Sequence, residues 1–154
     1  VKIVHATPMG SPMEEDAVKE FLTSKMNLQI ATIDSEGDPV IQPVWYFYDQ
    51  SADKIYFNTS RESQKIKNIG RKSTVYFSVD EDTSPYRCVK GKAKARVSDD
   101  SNRNVAIVES MAIKYLGDLD HPFSRQLLDQ LKRGDSLVLE LTPAYYSTWD
   151  FGQD

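Results

Sequence analysis

Apolar and polar residues alternate along much of this chain, and the period switches repeatedly between that of a strand and that of a helix. Val1 to Gly10 has neither period, and Pro8 and Gly10 break it, so it reads as a loose lead-in. Ser11-Pro-Met-Glu then fits a capping box with Pro at the first position, opening a helix whose Val18, Phe21 and Leu22 share a face. That helix is expected to end near Asn27. Leu28–Asp34 is the first strand, Ser35-Glu-Gly-Asp a hairpin turn, and Val40–Tyr48 a second strand rich in aromatics. Pro43 marks an edge or a bulge there, because proline has no N–H for a ladder. After a turn at Gln50–Asp53, Ile55–Thr59 is a third strand, and Glu62–Ile69 a short helix with Gly70 as its stop. Ser73–Asp80 is the next strand.

An acidic loop, Glu81–Pro85, leads into Arg87–Val97, where alternation is cleanest. Val89, Gly91, Ala93, Ala95 and Val97 face one way; Lys90, Lys92, Lys94 and Arg96 face the other. Small residues on the inner face imply close packing at a tight barrel wall, or room for a ligand. A cap at Asp99, Asp100 or Ser101 starts a helix carrying Val105, Val108, Met111, Ala112 and Tyr115 at helical spacing, and Gly117 ends it. His121-Pro122 opens a last helix, through Leu127, Leu128 and Leu131 to Gly134. Ser136–Thr142 is a strand, Pro143 an interruption, and Ala144–Phe151 a final extended piece. About seven strands in hairpins, with helices at the ends and edges, specify a mainly β fold: one antiparallel barrel domain with peripheral helices.

Composition narrows the function. The 154 residues suit a single domain, with 40% hydrophobic and 27% charged residues. The net charge of −4 argues against nucleic acid as the main partner, and the basic face of Arg87–Val97 reads as a solvated strand face. With one cysteine, Cys88, and two histidines, His5 and His121, no disulfide and no cysteine-rich metal site is expected. His5 reads as tail, His121 as a helix-start residue, and Cys88 as an inert strand thiol. No apolar run has the length of a membrane span and no signal peptide is visible, so a reducing cytoplasm is the simplest compartment. Val1 at the start points to a removed initiator Met or short leader. Nucleophile elbows, zinc-protease helices and Walker loops are absent.

One stretch carries candidate chemistry. Between the strand Ile55–Thr59 and the helix after it, Thr59, Ser60, Arg61, Ser63 and Lys65 crowd hydroxyls and cations at a helix start. Unpaired backbone N–H groups and the helix dipole favour an anion there, and a phosphate would suit. A plain reading accounts for the same residues: Ser60 caps a surface helix and the charges are solvated.

The ordered series Ala31-Thr-Ile-Asp-Ser-Glu-Gly-Asp-Pro-Val-Ile-Gln-Pro-Val-Trp-Tyr-Phe, Ile55-Tyr-Phe-Asn-Thr, Ser63-Gln-Lys-Ile-Lys-Asn-Ile, Thr74-Val-Tyr-Phe-Ser-Val and Val89-Lys-Gly-Lys-Ala resembles the pyridoxamine 5′-phosphate oxidase-like, flavin-binding split-barrel proteins. The resemblance covers roughly residues 12 to 98, with Leu139-Glu-Leu-Thr-Pro and Trp149-Asp150 fitting the last strands. It implies a split β-barrel and a homodimer with two flavin mononucleotides (FMN) at the subunit interface. Thr59, Ser63 and Lys65 then bind the phosphate, with Asn58 and Arg61 beside them. Gln64 stands where many members have a second basic residue. Pro43, Val44 and Trp45 run beside the isoalloxazine ring, and the Arg87 strand approaches the flavin of the other subunit. Trp45 is also a candidate for the core, since aromatic rings dominate cores. Tyr46, Tyr86 and Trp149 are candidates to line the cleft. No basic residue follows Arg133, so vitamin B6 oxidation is not expected. A flavin-dependent reductase acting on a small molecule, a deazaflavin-dependent reductase, or a flavin-binding stress protein without turnover are the readings that stand.

Overall fold

The structure, a computed structural model, describes residues 1–152. Alternation builds a barrel from the strands β1 (Lys2–His5), β2 (Leu28–Ile33), β3 (Pro39–Val44), β4 (Phe47–Asp49), β5 (Lys54–Ser60), β6 (Thr74–Asp80), β7 (Cys88–Val97) and β8 (Ser136–Trp149). The helices are α1 (Glu15–Leu22), α2 (Gln64–Arg71), α3 (Ser101–Leu116) and α4 (Pro122–Arg133). The strands form one sheet in the order β3-β2-β6-β7-β8-β5-β4, antiparallel throughout, with β1 added parallel to β8. This curled sheet with β3 and β4 at its ends is a split barrel.

Its interior is filled by the inward positions of the strands: Ile30, Ile55, Phe57, Phe77, Val79, Val89 and Leu141 are buried together. α1 plugs the barrel, sending Val18, Phe21 and Leu22 into the same core. Gly91 is fixed by a close approach. A Cβ there would overlap the Tyr145 carbonyl oxygen and press on the Phe77 ring, so the small residues of β7 serve tight packing. On the outer side of β5 and β8, Tyr56 and Val138 meet Ile107, Val108 and Met111 of α3 and Leu127 of α4 in a second cluster. Glu140, buried on that outer side, accepts from Lys54, Arg96 and the Tyr56 hydroxyl, so its charge is compensated.

Several sequence expectations change. The lead-in is not loose: Lys2 to His5 pair with Tyr145 to Thr148, which places His5 in a strand. Ser11 does not cap α1. Its backbone exchanges hydrogen bonds with Asp150, and the helix starts after Glu14, which is extended and makes no side-chain cap, and stops at Leu22 rather than near Asn27. Val40–Tyr48 is two strands, with a corner at Trp45 and Tyr46; Pro43 does sit on an edge strand. Ser60 stays in β5, held by pairing with Ser136, so Ser63 becomes the residue before α2. Gly70 lies inside α2, because Asn68 anchors the last turn by accepting from the Lys72 N–H. Pro143 does not end a strand. β8 runs through it with a bulge, Lys92 pairing Tyr145 and Ala93 pairing Pro143, so Ala144 is the extra residue. Gly117 and Gly134 end α3 and α4 in left-handed geometry, with φ of 83° and 81°, as the sequence indicated.

Candidate cofactor site

A cavity of about 610 Å³ opens where the β3–β4 corner, the end of β5, the start of α2, and α4 converge. Pro43 and Val44 of β3, Trp45 at the corner, Asn58, Thr59 and Ser60 of β5, and Lys65 of α2 all line it. Six of the sequence-predicted site residues, Pro43, Val44, Trp45, Asn58, Thr59 and Lys65, therefore meet in one place.

The cavity has two chemically distinct ends. At the polar end Lys65 is half-buried and pairs with no carboxylate among the described residues; its Nζ lies 2.6 Å from the side-chain oxygen of Gln42. Burial pulls its pKa below the ordinary lysine value. Thr59 donates to the Ser63 hydroxyl at 3.0 Å, holding the β5–α2 turn in shape. Ser136, opposite Ser60 in the β5–β8 register, also lines this end. Its hydroxyl oxygen is buried and has no hydrogen-bond partner. An unpartnered buried hydroxyl costs about 1–3 kcal/mol.

At the other end Trp45 stacks on Tyr115 with ring centroids 4.6 Å apart and planes 2° from parallel, and Phe123 meets it edge-on at 5.9 Å. Tyr115 is locked: its hydroxyl donates to the Met26 carbonyl at 2.6 Å and accepts from the Tyr46 N–H at 3.2 Å. Burial pushes its phenol up to about 12. Behind it, Lys114 lies 3.9 Å from the Tyr46 ring and donates to the Tyr46 carbonyl, and desolvation lowers its pKa to about 8. Trp45 is thus both a packing residue and a wall of the cavity.

Other expected site residues stand elsewhere in the chain. Arg61 is exposed and turned to α4, donating to the Gly134 carbonyl at 2.6 Å while its backbone N–H donates to Asp135. Gln64 reaches along α2 to Asn68. Ser63 backs Thr59 from outside the lining. Arg87 is clamped by Glu81 through two hydrogen bonds of 2.9 and 3.1 Å, over the Phe21 ring, and is not at the cavity. Tyr46 does not line a cleft; it is 0% exposed, its hydroxyl donating to the Ser24 carbonyl. Tyr86 and Trp149 join each other, indole N–H to carbonyl at 2.8 Å, and do not line this cavity. Cys88 is buried, and desolvation raises its pKa, so it is an inert thiol.

The sequence reading missed the fourth wall. Phe123, Leu127 and Gln130 of α4, with Asp135 at the start of β8, complete the cavity. Their spacing shows one helix face in the sequence, but not what that face covers.

The sequence matches the family described as pyridoxamine 5′-phosphate oxidase over residues 14–150. The chain belongs to that family. No curated protein is similar enough in sequence to count as a relative. Solved structures share the family fold at low identity. A conserved hypothetical protein, Rv2991, from Mycobacterium tuberculosis has a TM-score of 0.79 at 21% identity, covering 96% of this chain and 91% of that one. An F420 reductase gives 0.66 at 20% identity, covering 84% and 94%. A FAD-binding protein from Mesorhizobium loti gives 0.68 at 14% identity, covering 90% and 95%. Among the described residues no helix is long and apolar enough to cross a membrane, and no cluster of metal-ligating side chains occurs.

Proposed function

We propose that the chain binds FMN in this cavity and is a flavin-dependent oxidoreductase acting on a small molecule. Lys65 carries the reading. A half-buried ammonium without a carboxylate partner is poised for an anionic ligand, and the hydroxyls around it add donors. The cavity also has the right span. Phe123 and Gln130, which both line it, are seven residues apart on one helix, roughly 10 Å. That separates a planar apolar body against Trp45 and Phe123 from a phosphate near Lys65.

When bound, the flavin would supply hydride transfer. The chain's own residues position it. Lys65 and Thr59 bind the phosphate, Pro43 and Val44 border the ring along β3, and Trp45, held by Tyr115, excludes water from one side. Family membership and the FAD-binding structural relative support a flavin-type ligand.

The second reading is a deazaflavin with a phosphodiester chain. Asp135 is paired with Arg133 at 3.1 Å, so Lys65 is the one cation among the described lining residues, and a single positive charge suits a singly charged phosphate better than a doubly charged one. The similarity to an F420 reductase supports it as well.

The protein acts as a homodimer in this proposal. The outer face of the sheet holds a hollow of about 740 Å³ lined by Val4, Ala31, Ile41, Tyr76 and Tyr145 among others, with Ile41 67% and Tyr76 50% exposed. β3 carries Ile41 in this face and Pro43 in the cofactor cavity, so a second copy seated here would border the site. Arg87 would then act from the partner's side. A cytoplasmic setting fits the single buried thiol.

Titration of the protein with FMN, read by quenching of flavin fluorescence, tests the proposal. Saturable binding that Lys65→Ala weakens by roughly tenfold or more is the expected result. Binding of a deazaflavin but not FMN would select the second reading.

A further inference from the structure

We propose that Ser136 is a ligand-binding residue, turning its hydroxyl onto the phosphate of the bound cofactor. The inference rests on the flavin reading above and deepens it. Two buried side-chain atoms among the described residues lack a hydrogen-bond partner, Asn104 Oδ1 and Ser136 Oγ. Asn104 lines neither the cofactor cavity nor the hollow on the outer face of the sheet, whereas Ser136 lines the polar end of the cofactor cavity. Ser136 is 5% exposed.

The backbone around Ser136 is held from three sides. Ser136 pairs with Ser60 in the sheet, Arg61 N–H donates to the Asp135 carbonyl, and the Arg61 guanidinium donates to the Gly134 carbonyl. The side chain is free by comparison. A serine hydroxyl has three staggered positions about one bond, and moving between them needs no backbone change. In its present position the hydroxyl finds nothing. A phosphate between Lys65, Thr59 and Ser60 would offer an acceptor, and the hydroxyl would donate to it. The exposed Arg61 then has a structural part in the site: it fastens the β5–α2 turn to the strand that carries Ser136.

This arrangement makes two effects of Ser136→Ala run in opposite directions. The protein without ligand should melt at the same temperature as wild type or higher, because an unsatisfied buried hydroxyl is removed. FMN affinity should fall, by roughly tenfold, as a charged hydrogen bond is lost. Riboflavin, which has the ring and the ribityl chain but no phosphate, should bind wild type and variant alike. The experiment is fluorescence titration of both proteins with FMN and with riboflavin, beside thermal melts without ligand. Equal FMN affinity in wild type and Ser136→Ala overturns the inference and leaves the flavin reading intact. An equal loss for FMN and riboflavin overturns the assignment to the phosphate. A lower melting temperature of the ligand-free variant shows that the hydroxyl is satisfied in the resting protein, which overturns the inference too. Failure of wild type to bind either flavin overturns both readings together.

Discussion

Two hollows of similar size, about 740 and 610 Å³, meet β3 at different points along the strand, Ile41 in one and Pro43 and Val44 in the other, and their walls differ in kind. The first lies on the sheet surface, where Ile41, Ala31, Tyr76 and Tyr145 give broad apolar area, and its lysines, exposed Lys2 and half-exposed Lys90, stand on the strands β1 and β7. The smaller one holds a half-buried lysine, a cluster of hydroxyls and a locked aromatic stack. Apolar area gains free energy by leaving water and is indifferent to which apolar surface covers it. A desolvated charge gains only from a group of opposite charge in the right place. The first hollow is therefore suited to a protein surface and the second to an anionic small molecule.

Substitutions in the two hollows should separate these roles. The largest effect is expected from Tyr76→Arg combined with Ile41→Asp, which places charges in the centre of the apolar face. Light scattering at micromolar concentration should report a dimer for wild type and a monomer for the double variant; a monomeric wild type would refute the assignment of this face. Next is Lys65→Glu, which reverses the charge at the polar end and should abolish measurable FMN binding while leaving the dimer intact. In wild type, FMN affinity should decline as the pH rises into the range where Lys65 deprotonates, a range that burial has moved downward.

A smaller change is expected for Trp45→Leu. Aromatic stacking contributes about 0.5–1.5 kcal/mol beyond area burial, so FMN and riboflavin should both bind a few-fold to about tenfold more weakly. Equal affinities would place the ring elsewhere. The smallest effect concerns Lys114, whose pKa of about 8 lies below that of an unfolded lysine. Between the folded and unfolded values the unfolded chain binds more protons, so this group adds stability as the pH rises from 8 toward 10. Lys114→Met removes that contribution. The difference in melting temperature between wild type and the variant should shift in favour of wild type over this interval, and a constant difference would rule it out.

The residues that announced themselves in the sequence were those whose neighbours are close along the chain. The alternation of Val89, Gly91, Ala93 and Ala95, the glycine caps at Gly117 and Gly134, and the crowd of hydroxyls and Lys65 after β5 are local patterns, and the structure keeps them. What escaped was decided at long range. Ser11, Pro12 and Glu14 satisfy the spacing of a capping box, but the backbone of Ser11 is taken by Asp150, which no local rule could indicate. Lys2–His5 has no alternating pattern because β1 is an addition to β8 and needs little burial of its own. Tyr46 and Trp45 are adjacent aromatics in one strand-like run. Only the corner between β3 and β4 sends one into the core and the other to the cavity. Ser136 looked like an ordinary strand start, since a missing hydrogen bond has no signature in sequence.

β8 has a consequence for how the protein is made. It pairs with β7 along one edge and with β5 and then β1 along the other, so three neighbours depend on a strand synthesised after the other seven. While the ribosome is still producing α4, the inner edge of β7 has no partner, and Ile55, Tyr56 and Phe57 of β5 lack the strand that lies beside them. A nascent chain at that stage exposes apolar side chains and unpaired backbone, the conditions that recruit chaperones and favour mispairing. Barrel closure consequently waits for β8, and a pause in translation just upstream of Ser136 would prolong the vulnerable interval.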